Sequence, residues 1–257
     1  MKKIIFSEQQ IQEIIELYTK KHISMVKIGK QYNVSNKTIK RLLDKYNIKS
    51  RGNRKYFIKE NIFNKIDSAE KAYWLGFILA DGYINIPRKR VQIKLGEKDR
   101  EHLLKFIDFI GGNEEMIKKE TNPISGNNTY YIAINSLIMV KDLVDKNISQ
   151  GKSGKEKWYD VKEEFILDYI RGIIDGDGNI NNKNFNICNS EEVLQKIKEY
   201  FCKKYNINNN IKILEHYNTK RLTICKNRKE ILKDLYYKDC VCLERKRKIV
   251  NDLYCRD

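Results

Sequence analysis

Two similar stretches decide the fold of this chain: Trp74-Leu-Gly-Phe-Ile-Leu-Ala-Asp81-Gly82 and Ile170-Arg-Gly-Ile-Ile-Asp-Gly-Asp177-Gly178. Each is an apolar run of helical length that ends in Asp-Gly and is followed by short segments of β-like alternation. Because the same order of segments follows both copies, the chain contains an internal repeat of roughly 95 residues. The repeat predicts two halves of one architecture.

Small residues recur at helical spacing in both copies. Gly76 and Ala80 are four positions apart and share one helix face, as Gly172 and Gly176 do in the second copy. Side chains this small let two helix backbones approach closely. If the helices pack in parallel, their C-terminal ends come together and the two final aspartates lie side by side.

Two adjacent carboxylates repel each other unless a cation lies between them. A hard divalent ion such as Mg²⁺ prefers oxygen ligands and keeps positions open for water and phosphate. We therefore predict a divalent-metal site at Asp81 and Asp177. The alternative is an ordinary helix stop with a turn, which explains one Asp-Gly ending more easily than two matched ones.

This pair of motifs resembles the LAGLIDADG homing endonuclease family, in its monomeric form with two motifs. The second copy fits the family pattern at four positions: Gly172, Asp175, Asp177 and Gly178. The first copy departs from it at Leu79, where the family often has an acidic residue. The resemblance implies that Mg²⁺ or Mn²⁺ binds at the last acidic residue of each motif and the residue before it: Asp81, Asp177, Ala80 and Gly176.

The resemblance also implies a basic catalytic residue after the last helix-strand unit of each half. Lys152 fits this place in the first half, and Arg245 or Lys246 fits it in the second. The alternative for residues 245–248 is a solvated, charged helix face. The family cuts both DNA strands across the minor groove and leaves staggered 3′ overhangs.

The composition favours a polyanionic partner. The 257 residues include 51 Lys and Arg against 34 Asp and Glu, a formal net charge of +17. Nucleic acid is the leading candidate for such a chain, although a Lys-rich coding bias gives the same excess. The six cysteines form no CxxC pair, so a zinc site is poorly supported and reduced thiols are the simplest account. No apolar segment reaches the length that spans a bilayer.

The first 50 residues predict a helix-turn-helix domain. Helices are expected at 7–20, 24–32 and 36–46, with a turn at 33–35 before the basic third helix. This arrangement resembles a helix-turn-helix DNA reader, and a generic three-helix unit is the alternative. The resemblance implies DNA contacts from Asn36, Lys37, Thr38, Lys40 and Arg41. Residues 51–66 form a basic linker, in which Arg51 and Arg54 either enter an AT-rich minor groove or belong to a simple tether.

The remainder predicts an α+β fold, a pseudo-twofold pair of αββαββα halves at 67–150 and 151–257. Each half offers four antiparallel strands with one polar face, and two such sheets form a long concave DNA-binding saddle. The polar faces carry Arg90, Gln92, Lys94, Tyr131, Asn135, Asn184, Asn186, Lys220, Arg221 and Thr223. For each of these side chains taken singly, solvated surface is the alternative.

Together these features favour a site-specific, double-strand DNA endonuclease that works as a monomer with no protein partner. The expected location is cytoplasmic and nucleoid-associated. The second hypothesis is a catalytically silent DNA- or RNA-binding protein on the same scaffold, either a maturase or a transcription regulator. The two motif aspartates favour the enzyme, because a binding protein has no need for paired carboxylates beside phosphates.

Overall fold

A computed structural model of the protein describes residues 6–21, 23–48, 56–207 and 211–254. These residues form two compact units, one that ends at Phe57 and one that begins at Ile58. Across the described ranges, no helix is long and apolar enough to cross a membrane.

The first unit is a three-helix bundle: α1 (Glu8–Thr19), α2 (Met25–Gln31) and α3 (Asn36–Lys45). A serine caps each helix, because its hydroxyl accepts a hydrogen bond from a main-chain NH of the first turn. The core consists of Ile14, Leu17, Tyr18, Ile28, Ile39 and Leu43. The turn before α3 is tight: Asn33 has a φ of +56°, and a Cβ on Gly29 would lie 2.7 Å from the Val34 carbonyl oxygen.

The second unit confirms the predicted α+β fold of two related halves. The first half comprises α4 (Ala69–Asp81), β1 (Gly82–Asn85), β2 (Arg90–Gly96), α5 (Arg100–Phe109), β3 (Lys118–Thr121), β4 (Asn128–Asn135) and α6 (Leu137–Val144). The second comprises α7 (Ile166–Asp177), β5 (Gly178–Ile180), β6 (Phe185–Asn189), α8 (Glu191–Tyr205), β7 (Ile213–His216), β8 (Thr219–Ile224), α9 (Arg228–Leu235) and α10 (Glu244–Tyr254).

Each half contains one four-stranded antiparallel sheet. The strand orders are β1-β2-β4-β3 and β5-β6-β8-β7, so the same topology is built twice. In each sheet one face carries the buried apolar side chains, such as Val91, Ile93 and Leu95 of β2. The opposite face carries the polar side chains that alternate with them.

Short 3-10 or irregular segments precede three of the elements. A 3-10 turn at Glu114–Met116 precedes β3, and the Asn113 side chain accepts the Glu115 NH there. The second motif helix also opens with a 3-10 turn, Glu163–Phe165. The last helix begins at Glu244, after a largely buried irregular segment at 240–243.

One polar side chain was assigned to the wrong sheet face. Lys220 pairs in register with Asn189 and Glu215, whereas Arg221 pairs with Cys188. Since neighbouring residues of a strand point to opposite faces, Lys220 cannot share a face with Arg221 and Thr223.

The motif helices α4 and α7 pack against each other at the centre of the second unit. A Cβ on Gly76 would lie 2.1 Å from the Tyr169 carbonyl oxygen, and one on Gly172 would lie 2.1 Å from that of Tyr73. These contacts are too short for any side chain, so glycine sets the separation of the helices. Further along, Gly176 faces Ala80. The contacts therefore advance along both helices together, as a parallel pair requires.

We expect Gly172→Ala to destabilise the protein by about 2 kcal/mol or more, because the added methyl group meets main-chain atoms of α4 that cannot rotate away. Gly96→Ala is the matched control, since its Cβ would meet nothing within 4 Å. Urea unfolding of both variants measures the difference. An unchanged midpoint for Gly172→Ala would show that the helices are not held this closely.

Candidate active site

The C-terminal ends of α4 and α7 meet at one seam. A Cβ on Gly176 would lie 2.4 Å from the Ala80 Cβ and 3.4 Å from the Asp81 carboxylate carbon. Asp177 follows Gly176 directly, so the last residues of both helices occupy the same place. The structure thus brings together the two aspartates that the sequence singles out.

The electrostatics of the seam disfavour two ionised carboxylates. Burial raises the pKa of Asp177 to about 7, and the negative charge of Asp81 adds to the rise. Asp81 is exposed on one side, but the protein atoms around its carboxylate partly desolvate it and raise its pKa as well. Lys246 and Lys152 oppose that rise. A cation bound at the seam would therefore stabilise the ionised form of both carboxylates.

Two buried lysines reach the main chain at the seam. Lys152 Nζ donates to the Ala80 carbonyl oxygen at 2.7 Å, at the end of α4. Lys246 Nζ donates to three carbonyl oxygens at the end of α7: Asp175 at 2.8 Å, Gly178 at 2.7 Å, and Ile174. Helix C-termini attract cations because their carbonyl groups lack partners within the helix. Each lysine therefore lies at the C-terminal end of one motif helix.

Burial lowers the pKa of both lysines, while the aspartates act in the opposite direction. The pKa of Lys246 falls to about 8, and Asp175, Asp81 and Asp177 limit the fall. Burial likewise lowers the pKa of Lys152, and Asp177 is the first group that opposes the change. Each lysine thus lies in the field of both motif aspartates.

Arg245 differs from its neighbour Lys246. Its Nε atom donates to both carboxylate oxygens of Asp99, at 2.9 and 3.0 Å, so its guanidinium is already paired. Lys246 is 1% exposed, whereas the Arg245 side chain is 39% exposed. The solvated helix face expected as the alternative for this segment therefore fits Arg245 better than Lys246.

Two residues that the sequence analysis missed position Asp177 and the loop that carries Lys152. Asn189 Nδ2 donates to Asp177 Oδ2 at 2.8 Å from the end of β6. The next residue, Ser190, donates its hydroxyl hydrogen to the Glu156 carbonyl oxygen at 2.5 Å. The Glu156 carboxylate in turn accepts the Gly154 NH at 3.2 Å. This chain of contacts fastens the loop after the first half to the second sheet.

A buried polar network supports the second motif helix. Asp175 is fully buried and accepts hydrogen bonds from Tyr73 OH at 2.8 Å, Tyr236 OH at 2.7 Å and Leu243 NH at 2.7 Å. Tyr73 OH also lies 2.8 Å from His102 Nε2. Burial lowers the pKa of His102 to about 3, which keeps this imidazole neutral. The network ties α4, α7 and the start of α10 together beneath the seam.

Arg171 fixes the irregular segment that leads into α10. Its guanidinium donates to Asp168 Oδ1 at 2.6 Å, to the Leu235 carbonyl at 2.9 Å and to the Val241 carbonyl at 2.8 Å. The ion pair between Arg171 and Asp168 is buried. A buried ion pair is tolerated only when hydrogen bonds satisfy its remaining polar atoms. Because Lys246 follows this segment, Arg171 contributes to the position of the lysine.

The two aspartates suit an open divalent-cation site, in which water and substrate supply the remaining ligands. Within the described ranges, no group of three or more His, Cys, Asp or Glu side chains could hold a metal ion. Mg²⁺, however, is commonly bound by one or two carboxylates, with water and substrate phosphates completing its shell. A cation beside the two aspartates would lower both raised pKa values. The Ala80 carbonyl, also predicted at the metal, accepts the hydrogen bond from Lys152.

The predicted DNA-contact residues of the sheets lie on the polar faces, where they already bond to one another. Arg90 Nε donates to Asn135 Oδ1 at 2.9 Å, and Lys94 pairs with Glu120 at 2.9 Å. In the second sheet, hydrogen bonds link a further set of side chains: Asn184 with Asn186, and Asn186 with Thr223. Gln92 and Arg221 lie on the same faces as these groups by register.

The three-helix unit presents most of its predicted contact residues to solvent. Asn36, Lys37, Lys40 and Arg41 are exposed on α3. Thr38 is half-buried, and its hydroxyl lies 2.9 Å from that of Ser35 within the helix cap. Arg51 and Arg54 fall outside the described residues.

Comparison with known proteins yields matches among solved structures alone, since no protein-family model and no curated protein matches the chain. The chain resembles full-length DUF199/WhiA from Thermatoga maritima, with 18% identity over 76% of this chain and a TM-score of 0.46; it spans 64% of that protein. It also resembles the homing endonuclease I-WcaI bound to its DNA recognition sequence, with 14% identity, coverage of 70% and 85% of the two chains, and a TM-score of 0.48. A third match is I-DmoI in complex with DNA and Ca, with 15% identity, coverage of 75% and 99%, and a TM-score of 0.47.

The raised pKa of Asp177 predicts a pH-dependent cost to stability in the absence of divalent ions. Folding moves this pKa from 3.8 to about 7, so the folded chain holds the proton more tightly. The favourable contribution of this group is complete below about pH 4 and is lost as the pH rises through about 7. Asp177→Asn should therefore raise the unfolding midpoint in EDTA at pH 8, with a difference that disappears towards pH 4.

Asp145→Asn is the control, because it removes the same charge from an exposed position. Thermal unfolding across this pH range measures both variants. If Asp177→Asn follows the wild-type profile at every pH, the crowding of the two carboxylates is refuted.

Proposed function

We propose that the chain is a metal-dependent endonuclease that hydrolyses both strands of a DNA duplex at a specific site. One observation carries this proposal: two related helices end in carboxylates at one seam, and two buried lysines, one from the loop after the first half and one from α10, reach the main chain there. A binding surface gains nothing from carboxylates beside phosphates, because like charges repel. Paired carboxylates with paired cations are what two phosphodiester hydrolyses require.

The proposed division of labour follows from the contacts at the seam. Asp81 and Asp177 would hold Mg²⁺ or Mn²⁺, which when bound supplies an activated water and charge stabilisation at the phosphate. Asn189 orients Asp177 through its amide hydrogen. Lys152 and Lys246 are held in place by main-chain carbonyl groups before DNA arrives, so they offer positive charge where the phosphate becomes more negative in the transition state. Lys246 is preferred over Arg245, whose guanidinium is paired with Asp99.

The remaining elements would bind DNA. The polar faces of the two sheets offer Arg, Lys, Asn and Gln, the side chains that read base edges in the major groove. The exposed basic residues of α3 offer a second contact in a helix-turn-helix domain at 1–50, joined through a linker at 51–66 to the halves at 67–150 and 151–257. Both halves belong to one chain, so a monomer contains the complete site. Cleavage across the minor groove with 3′ overhangs belongs to this proposal.

A catalytically silent DNA- or RNA-binding protein is the competing function. It would use the same polar sheets and the same three-helix unit, but it would have no need of a metal at the seam. The two functions therefore separate on cleavage, and on whether divalent metal binds at the two aspartates.

The test begins with duplexes enriched from a randomised pool by the full-length protein in Ca²⁺ and then exposed to Mg²⁺. We expect double-strand cleavage that EDTA abolishes. Asp177→Asn should lower the cleavage rate by about a thousandfold while binding in Ca²⁺ persists, because it removes one charged metal ligand. Asp145→Asn should cut at the wild-type rate. Binding by the wild type with no cleavage in Mg²⁺ or Mn²⁺ would favour the silent protein instead.

A second pair of variants tests the lysine assignment. Lys246→Met keeps much of the side-chain volume and should slow cleavage by about a hundredfold, because one preorganised cation is lost. Arg245→Gln should have a smaller effect, since Asp99 already engages its guanidinium. Single-turnover rates at saturating duplex measure both, and circular dichroism checks their folding. A larger loss for Arg245→Gln would reverse the assignment.

A further inference from the structure

Two loop tips present large apolar side chains almost entirely to solvent. Ile124 is 96% exposed in the β3–β4 connection, and Tyr217 is 94% exposed in the β7–β8 turn. Among the described residues, the next most exposed large apolar side chain is Leu214, at 56%. Scattered surface hydrophobic residues need no explanation, but complete exposure at two related positions does.

The two tips occupy corresponding places in the repeat. Each joins the outermost strand of its sheet to the neighbouring strand. In the first sheet, Gly82 pairs with Ile93, which pairs with Ile132. The first residue of β1, which follows Asp81, therefore lies towards the same end of the sheet as the β3–β4 connection. The second sheet has the same register, which places the β7–β8 turn beyond the end that follows Asp177. Both tips therefore lie at the seam end of their sheets.

The first tip is held in shape by its own hydrogen bonds. The Asn122 side-chain oxygen accepts the NH groups of Ile124 at 2.8 Å and Ser125 at 3.0 Å. The Asn122 main chain also bonds to Asn127 and Gly126. This closed turn prevents Ile124 from folding back onto the sheet.

The second tip is anchored beside the loop that carries Lys152. The Asn218 carbonyl oxygen lies 2.2 Å from where a Cβ on Gly154 would be, so only glycine permits this contact. Tyr217 has a φ of +51°, a conformation that is unfavourable for an aromatic residue, and its ring packs edge-on against His216 at 4.9 Å.

The surroundings of the tips favour a polyanion over an uncharged partner. Lys118 and Lys119 are exposed on β3, the strand that leads into the first tip, and Arg221 lies on β8, the strand that leaves the second. The acidic side chains of β3 and β7, Glu120 and Glu215, are paired with Lys94 and Lys220. The polar sheet faces with Arg90, Lys94 and Arg221 continue from the tips. An apolar side chain at the end of a basic surface is the arrangement with which proteins enter a base step and bend the duplex.

We propose that Ile124 and Tyr217 are wedges, apolar side chains that insert at base steps of duplex DNA on either side of the seam and bend it. The proposal rests on the DNA binding of the proposed function and adds two contact residues and a DNA deformation to it. Because a wedge neutralises no phosphate, its loss should weaken binding without changing the number of counterions released.

The test uses the full chain with Ile124→Ser, Tyr217→Ser and both together. Ile138→Ser is the control, because this residue is 49% exposed on α6, which follows the end of β4 opposite to the first tip. The probes are duplexes enriched from a randomised pool by the wild type, labelled at both ends and held uncut in Ca²⁺. Binding is measured across a salt series, and the end-to-end distance of the bound duplex is measured by energy transfer.

We expect the double variant to bind at least about tenfold more weakly and to leave the duplex straighter, with an unchanged slope of log Kd against log salt. The control should match the wild type in all three quantities. Equal affinity and bending for the double variant and the wild type would overturn the wedges while leaving the proposed function intact. A wild type that binds no duplex at any salt concentration would overturn both.

Discussion

The close approach of α4 and α7 is the constraint on which the rest of the second unit depends. Glycine at 76 and 172 lets each helix meet a carbonyl oxygen of the other, and no larger residue fits there. Because the helices run in the same direction, this contact brings two C-termini and two aspartates to one point. Both sheets begin at the residues that follow those aspartates, so the spacing of the helices also fixes where the sheets start. The carboxylate pair is thus a consequence of backbone packing.

The two halves share topology but differ in what supports the seam. Asp175, one residue before Gly176, is fully buried and holds Tyr73, Tyr236 and the Leu243 NH, while Leu79 occupies the corresponding place of the first motif. Lys246 lies next to this polar network and donates to three carbonyl groups. Lys152 lies in a loop and donates to one carbonyl group. Hydrogen bonds to α7 and Gly178 therefore fix Lys246, and hydrogen bonds of Glu156 with Ser190 and Gly154 fix the loop that carries Lys152.

Much of the fold was predictable because its signals are local. Apolar periodicity and Asp-Gly endings predicted two helices that end at Asp81 and Asp177, as α4 and α7 do. The pairing of Asp81 with Asp177 followed from the repeat and the small-residue spacing. The supporting residues did not: Asn189, Glu156 and Tyr236 carry no motif, and tertiary contacts alone bring them to the seam. Sequence could not separate Arg245 from Lys246 either, because burial and the position of Asp99 decide between them.

In the proposed function the two motif aspartates share divalent metal at the seam, and anomalous scattering from a crystal of the full chain with duplex DNA and Mn²⁺ would locate that metal. We expect manganese peaks within ligating distance of both Asp81 and Asp177, which disappear in Asp177→Asn. Manganese bound elsewhere, with both carboxylates bonded to protein groups alone, would contradict it.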